Sequence, residues 1–154
     1  MGGYSPENFA RAEMLYRERI GILLKNGDDF IIESNLAKSK DYEWIEKMIQ
    51  RGYELILFFL CTDDVNINIK RVQRRVKEGG HNIPPEIIIH RYKMGLVYLK
   101  GKFHLFNEIY FIDNSADEAI MVANIKKGKL SEFTKKSPKW LNEVLFIARR
   151  MKSG

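Results

Sequence analysis

GYELILFFLCTDDVNINIKRVQRRVKEGG, residues 52–80, holds two hydrophobic patterns in immediate succession. From Tyr53 to Cys61 the run is almost continuously apolar, the pattern of a parallel strand buried on both faces. Val65, Ile69, Val72 and Val76 then recur at helical spacing, and the acidic start and basic end of that run suit the helix dipole. A buried parallel strand followed at once by a helix is the unit from which α/β sheets are built.

The alternation continues on both sides. Upstream, YSPENFARAEMLYRERIGILLKNG (4–27) predicts a helix with Ser5 as N-cap, Pro6 in the first helical position and Gly27 as the C-terminal stop. Phe9, Ala12, Leu15, Ile20, Leu23 and Leu24 give it an apolar stripe. FIIES (30–34) predicts a short strand, and SKDYEWIEKMIQRG (39–52) a second helix with Ile45, Met48 and Ile49 inward and Gly52 closing it. Downstream, Pro84 or Pro85 opens a helix through PEIIIHRYKMGLVYLKGK, and EIYFIDNS (108–115) predicts a third strand. EAIMVANIKKGKL predicts a small two-stranded ribbon turning near Lys127–Gly128. A final helix, SPKWLNEVLFIARRMK, is expected to start with Ser137 and Pro138 as the first one does with Ser5 and Pro6. There are no repeats, low-complexity tracts or obvious linkers, so the expectation is a single domain over 1–154.

The totals set bounds on partners. With 154 residues, 45% hydrophobic and 30% charged, the chain is long and apolar enough for a real core. A net charge of +6 suits an anionic partner, whether nucleotide, nucleic acid or anionic membrane surface, and does not choose among them. The single cysteine, Cys61, makes no intrachain disulfide and predicts a buried, reduced thiol. One cysteine and three scattered histidines do not make a zinc site, so no protein-held metal is expected. The opening MGGYSPENFARAEM lacks the apolar centre of a signal peptide, and LILFFLC is too short to span a bilayer. A cytoplasmic location with no membrane partner is the resulting expectation.

In open parallel sheets, ligands lie beyond the C-terminal ends of the strands. That rule selects Glu33-Ser34-Asn35, Thr62-Asp63-Asp64 and Asp113-Asn114-Ser115. Arg71 and Arg75 sit one helical turn apart and share a face flanked by Arg74, away from the valine and isoleucine stripe. Guanidinium groups match phosphate oxygens with paired hydrogen bonds, so this face suits a polyphosphate. It also suits a solvated basic surface, and spacing does not choose between the two. Gly79-Gly80-His81 permits either close approach of a ligand to the backbone or a plain helix cap. Glu33 and Asp113 could meet a ligand hydroxyl, or simply end a strand at the surface. Neither G-x-x-x-x-G-K-[ST] nor G-x-G-x-x-G occurs in the 154 residues.

FIIESNL together with GYELILFFLCTDDVNINIKRVQRRVKEGGHNIPPEIIIHRY resembles the zeta-toxin-like P-loop kinases. The family pattern of a strand ending in Glu-Thr, a G-Y-x-V strand, R-V-x-x-R-V-x-x-G-G-H-x-V-P and R-R-Y is met by Glu33-Ser34, Gly52-Tyr53, Arg71-Val72, Arg75-Val76, Gly79-Gly80-His81, Pro84 and Arg91-Tyr92. Asp113-Asn114-Ser115 extends the likeness, which covers about residues 5–130 and leaves the helix over 137–152 outside.

The resemblance implies phosphoryl transfer from ATP to a hydroxyl acceptor, a nucleotide sugar in zeta toxins proper, with ATP and Mg as the family's cofactors. It places Arg71, Arg75 and Arg91 as catalytic lid arginines over the phosphates. Glu33, Ser34 and Asn35 fall at the acceptor-binding strand end, and Gly79, Gly80, His81, Asp113 and Asn114 on the nucleotide side. It also implies a parallel-sheet P-loop kinase-like fold lacking its first β-α-β portion, where the family carries the Walker A loop and a base Asp. As it stands, the chain is then expected to be incomplete as an enzyme. The alternative is a non-catalytic nucleotide- or protein-binding module derived from that family; nucleic-acid binding through the basic surface and the ARRMK end is the weakest reading, because Glu and Asp interleave with the basic residues and no reader motif is present. Sheet edges left open by the missing portion predict self-association or a covering partner. A mass above that of one chain in light scattering at working concentration is the expected result; a strictly monomeric chain counts against it.

Overall fold

A computed structural model describes the protein over residues 6–151 and divides it into two compact units, one ending at Ser34 and the other beginning at Asn35. In the first unit, α1 runs Pro6–Asn26, and Gly27 closes it with φ +75° while Asp28 N–H donates to the Leu23 carbonyl. The positive φ is the reason a glycine serves here. Ser5 and the Phe9 side chain lie outside the described residues. Ile20 and Leu24 are buried, whereas Leu15 is half exposed, so the apolar stripe is shorter than its sequence pattern.

The strand expected over FIIES does not form: residues 28–37 carry no regular structure, and Ile31 is almost fully exposed. β-structure needs a neighbouring strand to take its N–H and C=O groups. No described strand pairs with this segment. An apolar run alone therefore did not suffice.

The second unit is built on one four-stranded sheet. Its elements are α2 (Ser39–Gln50), β1 (Ile56–Cys61), α3 (Val65–Lys77), α4 (Pro85–Lys102), β2 (Glu108–Asp113), β3 (Ile120–Lys126), β4 (Lys129–Glu132) and α5 (Lys139–Met151). The strand order is β1-β2-β3-β4, with β1 and β2 parallel and the ribbon β3–β4 added antiparallel to β2. The fold is therefore α/β, as expected, but the sheet is mixed, with one parallel pair. The ribbon turns at Lys127–Gly128, where both residues have positive φ. That is the backbone a tight two-residue hairpin requires.

Helices cover one face of this sheet. Across it, Leu57, Ile109, Ile125 and Leu130 form one row, and Phe59, Phe111 and Ala123 another. Leu96 and Leu99 of α4 and Trp140, Leu141, Val144 and Leu145 of α5 pack on these rows. Trp140 lies against Phe59 and Phe111, with ring centroids 5.8 and 6.3 Å away.

The opposite face corrects the expectation that β1 is buried on both sides. Burial alternates along the strand, and Ile56, Phe58 and Leu60 are more than half exposed. A continuous apolar run permits two-sided burial but does not supply the second layer. α3 is similarly shallow: none of its residues is fully buried, and its valine and isoleucine stripe is only half covered. In α2, Tyr42, Ile45 and Met48 are buried as its period suggests, while Ile49 is exposed.

Trp140 is fully buried and packs α5 against the Phe59–Phe111 row, so Trp140→Ala is expected to destabilise the chain by about 3–5 kcal/mol. The urea unfolding midpoint measures it, and a loss under 1 kcal/mol contradicts this account of the core.

Candidate functional site

The two parallel strands end side by side, and a polar network forms beyond them. Asn114 N–H, just past β2, donates to the Cys61 carbonyl at 2.8 Å. Ser115 Oγ donates to Asp113 Oδ1 at 2.6 Å and accepts from Asp63 N–H at 2.8 Å, bridging the two strand ends. Thr62 is buried; its hydroxyl donates to the Asp64 carbonyl at 3.1 Å and accepts from Asn68 Nδ2 at 3.0 Å. Tyr92 of α4 donates its hydroxyl proton to the Thr62 carbonyl at 2.8 Å. Asp64 starts α3 by accepting from Asn66 N–H at 2.9 Å, the usual work of an N-cap carboxylate.

Asp63 performs a long-range version of the same task. Its Oδ1 accepts from the backbone N–H of Lys139 at 2.6 Å and of Trp140 at 3.4 Å, the first two residues of α5. Those N–H groups have no partner inside the helix, and a carboxylate there also meets the positive end of the dipole. This replaces the expected cap at Ser137, whose hydroxyl instead donates to Glu132 Oε2 at 2.9 Å. The Trp140 indole N–H points to Asp113 Oδ1 at 3.4 Å. Asp63 and Asp113 together thus seat α5 at the end of the sheet.

Burial pushes the Cys61 thiol up to about 12, and its sulfur lies 3.7 Å from the Thr62 carbonyl. Burial, and then the neighbouring Cys61, likewise raises the Tyr92 phenol above its ordinary value. Both groups are therefore neutral across physiological pH.

The arginines differ in their commitments. The Arg71 guanidinium donates to the Asn114 carbonyl at 2.8 Å and to the Ala116 carbonyl at 2.9 Å, clamping the loop after β2. Arg75, one turn on, is exposed, and Arg91 on α4 is half-buried; neither has a hydrogen-bonding or ionic partner among the described residues. Gly79 and Gly80 close α3: Gly79 has φ +90°, Gly80 N–H donates to the Arg75 carbonyl at 2.9 Å, and Gly79 N–H to the Val76 carbonyl at 3.1 Å. A Cβ on Gly80 would meet Arg75 Cγ at 2.6 Å and its carbonyl oxygen at 2.9 Å, so the second glycine is required by packing. His81 follows, exposed.

Glu33 and Ser34 are exposed and fall in the first unit, Asn35 in the second. The Asn35 carbonyl lies 3.3 Å from where a Cβ on Gly95 of α4 would be, so that glycine lets the chain pass close to the helix. Among the described residues no group of three or more His, Cys, Asp or Glu gathers to hold a metal ion, and Asp63 and Asp113 each already engage an oxygen. This donor set does not fit a resident magnesium ion.

Sequence reading selected Thr62, Asp63, Asp64 and Asp113-Asn114-Ser115 through the strand-end rule, and these residues do meet. It missed Trp140, Asn68 and the Tyr92 hydroxyl as parts of the same network. No local signal marks Trp140 or the Tyr92 hydroxyl, because their partners are distant in the chain, whereas Asn68 reaches Thr62 only six residues back, across the start of α3.

The family model for zeta toxin matches residues 10–123, most of the chain, and the chain belongs to that family. It is also similar to an uncharacterised protein of Haemophilus influenzae, 30% identical over 79 residues, which span 49% of this chain and 56% of that protein. No solved structure matches it.

Asp63→Ala removes the cap on α5 and leaves the Lys139 and Trp140 N–H groups without it. The expected loss is about 1–2 kcal/mol by denaturant unfolding, with Asp63→Asn recovering most of it. An Ala variant as stable as the parent contradicts the capping role.

Proposed function

We propose that this chain forms the nucleotide-lid and acceptor side of a zeta-toxin-type phosphotransferase. The reaction is transfer of the γ-phosphoryl group of ATP, carried in as its magnesium complex, to a hydroxyl of a small acceptor of the nucleotide-sugar kind. Family membership supports the reaction class. The observation that carries the placement is the network joining the C-terminal ends of β1 and β2, the position where α/β sheets take their ligands.

Roles divide by what each side chain already holds. Arg71 is committed to two carbonyls, so in this reading it positions the Asn114–Ala116 loop against the nucleotide. Arg75 and Arg91, with uncommitted guanidinium groups, supply the positive charge that phosphate oxygens need. Gly79 and Gly80 hold the end of α3 and thereby Arg75, and His81 leads out of the cap. Asp113 and Asn114 border the nucleotide, while Glu33, Ser34 and Asn35 serve the acceptor hydroxyl.

The 154 residues contain no glycine-rich phosphate cradle with its lysine. Parts that act as a unit lose activity together. Residues 1–154 by themselves are therefore proposed to bind nucleotide without turning it over.

Thermal unfolding with ATP·Mg tests the reading. At a hundred times Kd, binding adds about 2.7 kcal/mol, a rise of roughly 5–10 °C for a chain of this size. Arg75→Ala and Arg91→Ala are expected to abolish the rise without lowering the unliganded midpoint by more than a degree or two. No rise at millimolar ATP·Mg, or a full rise in both variants, refutes nucleotide binding at this place.

A further inference from the structure

The loop after β2 is fastened at three successive residues, yet one polar side chain on it is left without a task in the fold. Asn114 is held by its backbone alone: its N–H donates to the Cys61 carbonyl at 2.8 Å, and its carbonyl accepts from Arg71 at 2.8 Å. Ser115 is held by its side chain, which donates to Asp113 Oδ1 at 2.6 Å and accepts from Asp63 N–H at 2.8 Å. Arg71 takes the Ala116 carbonyl at 2.9 Å. The half-buried side-chain amide of Asn114 makes no hydrogen bond among the described residues. Asn66 and Asn68 in α3 and Asn107 before β2 differ: each uses its amide on a carboxylate, a hydroxyl or a backbone N–H of the fold. Folding employs those amides and leaves that of Asn114 on a rigid mount, ready for a ligand.

Charge then divides the site. Asp117 and Glu118 follow the loop, exposed and without an ionic partner among the described residues. Their charge repels phosphates and is indifferent to an uncharged base. The uncommitted guanidinium of Arg75 stands one turn beyond Arg71 on α3, about 5 Å further along the helix axis. The phosphate end of a nucleotide thus falls to the arginines and the base to the loop. A primary amide places one acceptor and one donor side by side. Adenine offers the matching pair on its N7 edge, the N6 amino donor and the N7 acceptor, whereas guanine offers two acceptors there.

We propose, building on the nucleotide reading of this site, that the Asn114 amide selects adenine, with Ser115 as its positioning residue. Asn114 Oδ1 accepts from the adenine N6 amino group, and Nδ2 donates to N7. Ser115 ties the loop to both strand ends, which fixes the backbone that carries the amide and spares the entropy of ordering it on binding. Guanine in the same place sets its O6 against Asn114 Oδ1, two acceptors with no proton between them, and loses affinity.

Calorimetric titration of the full chain with ATP, GTP and 7-deaza-ATP, each with magnesium, tests this; 7-deaza-ATP lacks only the N7 acceptor. The parent is expected to bind ATP about five- to hundred-fold more tightly than GTP, and more tightly than 7-deaza-ATP. Asn114→Ala is expected to bind all three alike with an unchanged unfolding midpoint, because the backbone bonds at this position remain. Ser115→Ala is expected to narrow the preference for ATP over 7-deaza-ATP, and Ser115→Thr to restore it; a serine with a merely structural role weakens both ligands equally. A parent that does not distinguish ATP from 7-deaza-ATP, a preference for GTP, or Asn114→Ala binding ATP as tightly as the parent overturns the base contact while ATP binding that needs Arg75 still stands. A preference unchanged in Ser115→Ala overturns the positioning role. No binding of ATP by the parent at millimolar concentration overturns the nucleotide reading itself, and the base contact with it.

Discussion

The Asp63 carboxylate at the end of β1 determines where α5 begins, and much of the second unit rests on that contact. Two backbone N–H groups that no intrahelical carbonyl can reach end on one carboxylate oxygen from a strand far away in the chain. Beginning the helix there places Trp140 against Phe59 and Phe111 and sets its indole N–H beside Asp113. The residues that organise the candidate site are thus also those that seat the helix covering the core. Site and stability share side chains, so Asp63 and Asp113 do structural work before any ligand arrives.

Arg71 shows the same economy. A guanidinium with five donors can hold two carbonyls and keep others in hand. Its bonds to Asn114 and Ala116 fasten α3 to the loop after β2, and Tyr92 fastens α4 to the end of β1 through Thr62. Both parallel strand ends are consequently pinned by helices that follow them or cross behind them. Arg75 lies one turn beyond a fixed point, and the Gly79–Gly80 cap leaves it little freedom of backbone, since Gly80 packs on its stem. A charged side chain on a rigid stalk loses less entropy on meeting an anion than one on a loose loop.

One-sided packing is the other constraint. Helices α4 and α5 cover a single face, and the register sorts what remains into a charged row, an aromatic and polar row, and an apolar row. A strand read in isolation cannot display such rows, because each draws from four segments. β1 by itself looks like a strand buried on both sides; beside Tyr110, Asn124 and Ser131 it becomes part of a mixed surface.

Local pattern decided a good deal. The α/β class, the helices with their proline starts and glycine stops, the Lys127–Gly128 ribbon, and the strand-end residues 62–64 and 113–115 follow from periodicity, φ requirements and the strand-end rule. The arginine and glycine run of residues 71–92 also carried the likeness to the zeta toxin family. Tertiary structure decided the rest: that residues 30–34 form no ladder, that β1 has an open face, that Asp63 rather than Ser137 starts α5, and that Arg71 holds backbone. Each of these depends on a partner many residues distant. Hydrophobic period and capping chemistry act within a few residues, so sequence displays them; the pairing of a carboxylate with a remote helix end, or of a strand with its neighbour, exists only once the chain has closed on itself.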